Sequence, residues 1–160
     1  MGYEFVAFVK GSSGKKDTYR LGLVVRRKGV VENYLAYHTS VKSEDGTSAR
    51  EEYRAIALAA KNVPYGSRLT IYTNNLTAVR VFSGEWKAKK HTDILEEFKN
   101  SCTGREVSVE HAVEKDEEVM KGMRDADRTP VVSPCLLRGY AAGCPCHLLG
   151  KTLLLLCVIA

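Results

Sequence analysis

Several groups of residues carry side chains able to do chemistry. The most polar is Trp86-Lys87-Ala88-Lys89-Lys90-His91, three lysines beside an indole. Ammonium groups next to an aromatic ring suit a phosphate backbone with a base or sugar stacked on the ring. The same run also fits a plain solvated face. Ser48-Ala49-Arg50-Glu51 reads as a capping box, in which the serine accepts an orphan backbone N–H and the glutamate reaches back, a role that alone accounts for Glu51. Asn74-Asn75 reads as a helix N-cap pair, and His38 as a structural residue on a strand. Cys135, Cys144, Cys146 and His147 bear zinc-ligand side chains, but not at finger or knuckle spacing, so no metal site is expected there. Cys157-Val158-Ile159-Ala160 fits the C-a-a-X prenylation pattern, with alanine favouring farnesyl. Cys144 and Cys146 offer places for a palmitoyl chain, since one lipid anchors only weakly. A Leu- and Cys-rich tail also makes such a match by chance.

These residues sit in a chain of 160 residues, 44% hydrophobic and 27% charged, with a formal net charge of +5. That composition excludes a disordered chain. It shows no short glycine period, no long internal repeat and no apolar run long enough for a polytopic membrane protein. The mild positive charge permits an anionic partner without establishing one. The averages hide a break near Arg128: residues 1–128 hold all 19 acids and 22 of the 24 bases, a net of +3. Residues 129–160 hold only Arg138 and Lys151 among the charged types, with four of the five cysteines and three of the four prolines. The expected organisation is a folded domain over 1–128 and an appended Cys/Leu/Pro-rich tail over 129–160. The apolar end of that tail is too short to span a bilayer. Met1-Gly-Tyr-Glu-Phe5 is not a secretory signal, so the cysteines are expected as thiols and the compartment as cytosol or nucleus.

The elements that must position the polar groups follow from apolar periodicity. Tyr3–Lys10, Tyr19–Arg26 and Val30–His38 alternate as strands, separated by Gly11–Gly14 and by a turn at Lys28-Gly29. Behind Ser48, apolar residues Tyr53, Ile56, Ala57, Ala60 and Val63 recur at helical spacing until Pro64 and Gly66. Leu69–Thr73 is a short strand, with a helical stretch from Asn75 through Phe82. Asp93–Lys99 is helical, Val107–Val113 a fifth strand, and Asp116–Asp127 a last helix. The order βββαβααβα predicts an α/β fold: a mixed five-stranded sheet, a three-strand antiparallel meander followed by parallel strands, with helices on both faces.

That order and four local strings resemble the type-one ribonuclease H family. Its first motif is a strand ending Thr-Asp-Gly-Ser, then a glycine in the second strand; here it reads Phe8-Val9-Lys10-Gly11-Ser12, with Gly22 following. Its second, a helix opening with a glutamate after a small polar run, reads Ser48-Ala-Arg-Glu51. Its third, a strand ending Thr-Asp-Ser, reads Ile71-Tyr-Thr73-Asn74-Asn75. Its fourth, Ala-Asp-x-Leu-Ala in a final helix, reads Met120-Lys121-Gly122-Met123-Arg124. The resemblance spans residues 3–127 and implies an RNA–DNA hybrid endoribonuclease with four carboxylates around two divalent ions. Those ions polarise the scissile phosphate and activate water.

Carried across, the quartet becomes Lys10, Glu51, Asn74 and Lys121, with Glu51 the only retained carboxylate. The formal charge passes from about −4 to +1, and like charges ~4 Å apart repel by a few kcal/mol at an effective dielectric near 20. The expectation is therefore a catalytically degenerate domain without a magnesium site, in which Lys10 and Glu51 form an ion pair. The resemblance further implies that Thr73 and Asn75 touch a phosphate and sets Trp86, Lys87, Lys89 and Lys90 in the place of the family's basic protrusion. With Ser12 and the two lysines that stand where the family has acids, Lys10 and Lys121, they are expected to bind RNA or an RNA–DNA hybrid through its phosphates. An active magnesium-dependent nuclease, with Asp116, Asp125 or Asp127 as a late carboxylate, is one alternative. The fifth strand carries Ser108, Glu110 and His111, but no Gly-His-x-Gly loop follows it. A protein-interaction module on the same scaffold is another alternative, and a membrane becomes a partner only if the tail is lipidated.

Overall fold

A computed structural model of the protein describes residues 2–44, 46–113 and 116–128. The nine expected elements occur in the expected order: β1 (Glu4–Ser13), β2 (Thr18–Arg27), β3 (Asn33–Lys42), α1 (Ser48–Asn62), β4 (Arg68–Thr73), α2 (Leu76–Phe82), α3 (Thr92–Ser101), β5 (Glu106–His111) and α4 (Glu117–Arg128). They form one five-stranded sheet in the order β3-β2-β1-β4-β5. β1, β2 and β3 pair antiparallel, while β1–β4 and β4–β5 are parallel.

β1 lies at the centre and is apolar on both faces, as a strand with helices above and below must be. Phe5, Ala7 and Val9 face α1 within the larger core, which also takes Leu21, Leu23, Ile56, Leu69 and Ile71. Each of those last five is fully buried, and such burial stabilises by about 1.5–3 kcal/mol per side chain. Phe8 and Val24 point the other way, into a smaller cluster with Val119, Met123 and Ala126 of α4. Two close approaches set the helices. A Cβ on Gly11 would lie 2.2 Å from the Ser48 carbonyl oxygen of α1, and one on Gly22 would lie 2.0 Å from the Ala126 carbonyl oxygen of α4.

Several boundaries differ from expectation: β3 runs on to Lys42, β5 ends at His111, and three further differences have a visible cause. β1 runs on through Ser13 because Gly11, Ser12 and Ser13 keep ladder partners in Leu21, Arg20 and Tyr19. β3 starts at Asn33, since Gly29 takes φ +81° and Val30 and Val31 stay in the exposed turn. The cap of α1 is Thr47, not Ser48: Thr47 is extended and its hydroxyl accepts from Arg50 N at 3.0 Å. With the helix starting one residue earlier, Glu51 N–H makes an ordinary intrahelical bond to Thr47 O, and no capping box forms.

Candidate functional site

The C-terminal ends of β1 and β4 lie side by side, as the parallel register Phe8↔Tyr72 requires. Lys10 lies two residues beyond that last pair on β1, and Asn74 follows directly on the end of β4. Here α1 presses its first turn onto Gly11. A Cβ there would come within 2.7 Å of the Glu52 Cβ, so the open backbone of Gly11 is what lets Glu52 reach the strand ends.

Glu52 is buried, with 7% exposure. Its Oε1 accepts a hydrogen bond from the fully buried Thr73 hydroxyl. Thr73 Oγ1 in turn accepts from the Asn75 backbone N–H at 3.1 Å. Asn75 caps α2, its Oδ1 accepting from Ala78 N at 3.2 Å. Burial pushes the Glu52 carboxyl above its ordinary range; the Thr73 hydroxyl, the Lys10 ammonium and the Asn75 amide oppose that and reduce the rise.

Glu51, the residue singled out from the sequence, is buried but turns the other way. Both its oxygens accept from Arg54 Nη1 at 3.1 Å. The expected Lys10–Glu51 ion pair is not formed, because one residue along a helix is a rotation of about 100°. Thus the carboxylate that bonds Thr73 and feels the charge of Lys10 is Glu52. Its position was legible in principle: Glu52 is in helical phase with Ile56, Ala59 and Val63 of the core face, whereas Glu51 has an arginine three residues on.

Lys121 does not join this group. Val119, Gly122, Met123 and Ala126 face the sheet, which places Lys121 on the outer side of α4, exposed. The three late aspartates are engaged elsewhere. Asp116 Oδ1 accepts from the backbone of Glu118 and Val119 at the start of α4. Asp125 pairs with Arg26 at 2.6 Å, and the charge of Asp127 acts on His38. Among the described residues no three His, Cys, Asp or Glu side chains converge as a metal cluster.

The basic loop lies between α2 and α3. Trp86 is half exposed, with the Arg80 guanidinium 4.7 Å from its ring centre. With Tyr53, Thr77 and the exposed Lys87, Lys89 and Lys90 it lines a cavity of about 680 Å³. A linkage that the sequence did not reveal holds this loop to α1. Arg50 donates to His91 Nδ1 at 3.2 Å and pairs with Asp93 at 3.0 Å. Burial and the neighbouring Arg50 charge lower the His91 pKa. The Tyr53 ring meets both His91 and Phe82 edge-on, so the loop is fixed to the helix that carries Glu52.

No protein-family profile and no curated protein sequence matches the chain. Solved structures do. The N-terminal RNase H domain of Rv2228c from Mycobacterium tuberculosis superposes with a TM-score of 0.62 at 15% identity, over 79% of this chain and 98% of that one. RNase H1 from Halobacterium salinarum NRC-1 gives 0.61 at 15% identity, over 78% and 98%. LC11-RNase H1, obtained from compost and solved with an RNA/DNA hybrid, gives 0.60 at 16% identity, over 78% and 92%. The chain therefore has the ribonuclease H-like α/β fold. Among the described residues no helix is long and apolar enough to cross a membrane. The zinc-ligand side chains at 135–147 and the lipidation pattern at Cys157 lie outside the described residues.

Proposed function

We propose that this domain binds nucleic acid, RNA or an RNA–DNA hybrid, through backbone phosphates and without two-metal hydrolysis. The observation that carries the reading is the composition of the strand ends: Lys10 on β1, Asn74 directly after β4, and a buried Glu52 carboxylate that is already bonded by Thr73 and feels the Lys10 charge. Magnesium takes hard, largely anionic oxygen ligands. One carboxylate, one carboxamide and one ammonium do not fit a pair of such ions. The same groups suit a phosphate: Lys10 supplies charge, Ser12 and the Asn74 and Asn75 amides supply hydrogen bonds, and Trp86 with Lys87, Lys89 and Lys90 supplies a stacking surface within a positive field. That a protein of the same fold was solved with an RNA/DNA hybrid supports the ligand class.

The test is binding of the full chain to labelled single-stranded RNA, duplex RNA and RNA–DNA hybrid, with and without magnesium, the same samples then run on a denaturing gel. The expected result is intact ligand and salt-sensitive binding that does not need the metal. Lys10→Ala should weaken binding uniformly across sequences and lower the salt slope by about 1. Magnesium-dependent cleavage would overturn the reading in favour of an active nuclease. Absence of both binding and cleavage would leave a protein-interaction scaffold.

A further inference from the structure

Some positive charges of this domain are engaged within it, while others, those of the β1–β2 turn, the α2–α3 loop and α4 among them, form no ion pair among the described residues. Arg26, Lys28, Arg50, Arg54, Lys61 and Arg68 are ion-paired. Arg27, Arg80 and Arg105 lie over aromatic rings. In contrast, Lys10, Arg20 and Lys42 make no ion pair among the described residues, and the strand register places them in one line. Lys10 on β1 pairs with Gly22 on β2, which pairs with His38 on β3; two residues along, Ser12, Arg20 and Ser40 form the next row; beyond it Thr18 pairs with Lys42. All these side chains share one face of the sheet, the face on which α4 stops over Gly22.

Each step from Lys10 to Arg20 to Lys42 moves one strand across, ~4.8 Å, and two residues along, ~6.6 Å, so the three cations form a diagonal of roughly 16 Å. Arg20 and Lys42 are exposed, and Ser12 and Ser40 flank Arg20 with hydroxyls. His38 adjoins the line with a buried Nδ1 that has no hydrogen-bond partner. The charge of Asp127 on α4 reaches His38 without forming an ion pair.

We infer that the diagonal Lys10–Arg20–Lys42, with Ser12 and Ser40, is a phosphate track that carries a nucleic-acid backbone from the strand-end site out across the β3 edge of the sheet. The inference rests on the proposed function and adds to it a direction. One strand of a nucleic acid presents its phosphates in a row, and three cations set in a line match such a row. Arginine and lysine supply charge along such a backbone, and serine hydroxyls fix its register without reading bases.

The experiment compares the full-length protein with Arg20→Ala/Lys42→Ala, Lys10→Ala, and a control, Lys61→Ala/Lys99→Ala, that removes the same charge from the α1–α3 side. Affinity for an RNA–DNA hybrid of about 20 base pairs is measured against salt. The track variant should lower the salt slope by about 2, and Arg20→Lys/Lys42→Arg should restore it, while the control leaves it unchanged. Both substituted residues are exposed, and thermal melts followed by circular dichroism check that the variants remain folded. If Lys10→Ala weakens binding but the track variant keeps the wild-type slope, the track is wrong and the proposed function stands. A control slope that falls as far as the track variant's overturns the track in favour of a diffuse field. A wild-type protein that binds no hybrid overturns both.

Discussion

Glu52 is a carboxylate held out of water, and its neighbours only partly compensate for the lost hydration. The net displacement of its pKa is upward from the ordinary 4.5. A group that holds its proton more tightly in the folded state adds stability below its unfolded pKa, and that stability is lost as pH rises through the folded value. Replacing the carboxyl by an amide of the same shape removes this dependence and leaves an acceptor for Thr73. Glu52→Gln should therefore gain on the wild type as pH rises above about 4.5 and keep a constant advantage near neutrality. Urea-unfolding curves between about pH 4 and 8 give the comparison directly. Parallel profiles for the two proteins would mean that the Thr73 hydroxyl and the Lys10 ammonium hold the carboxylate without cost.

At the scale of elements, α4 rests on the sheet through two missing side chains. A methyl on Gly22 would sit 2.0 Å from the Ala126 carbonyl oxygen, whereas one on Gly14 in the β1–β2 turn would meet nothing nearer than 3.5 Å. Gly22→Ala should therefore cost about 1–3 kcal/mol, as overpacking does, and speed amide exchange in α4 ahead of the rest. Gly14→Ala should leave both quantities near wild type. Equal effects from the two substitutions would remove the argument. The order of all nine elements was legible because apolar residues alternate on strands and recur every three or four on helices. The rotation of two helices was not. Thr47 and Ser48 are both good caps and Glu51 and Glu52 are both glutamates, so a one-residue shift changes nothing in composition and turns a different carboxylate to the site. On α4 the same small shift separates outward-facing Lys121 from buried Gly122. Such phases are decided by contacts far along the chain, Gly11 against α1 and Phe8 against Gly122, which no local window contains. The diagonal track was hidden for the same reason: Arg20 and Lys42 become neighbours only through the β2–β3 register.

For the whole molecule, the described residues that build the sheet and its two clusters of buried side chains lie between Glu4 and Ala126. A chain ending at Arg128 should then unfold in urea with the midpoint and slope of the full chain, since both report the surface hidden by the cooperative unit. A lower midpoint or a smaller slope would show that residues 129–160 add to that unit. The layout of the sheet also has a mechanical consequence. Tyr3 leads into one end of β1, while α4 finishes over Gly22, opposite Lys10, toward the other end. A pull applied between Tyr3 and Arg128 thus runs lengthwise along the central strand. With α4 detached, such a pull would act between the start of β1 and the end of β5, parallel strands joined through β4, so it would load the β1–β4 and β4–β5 ladders in shear.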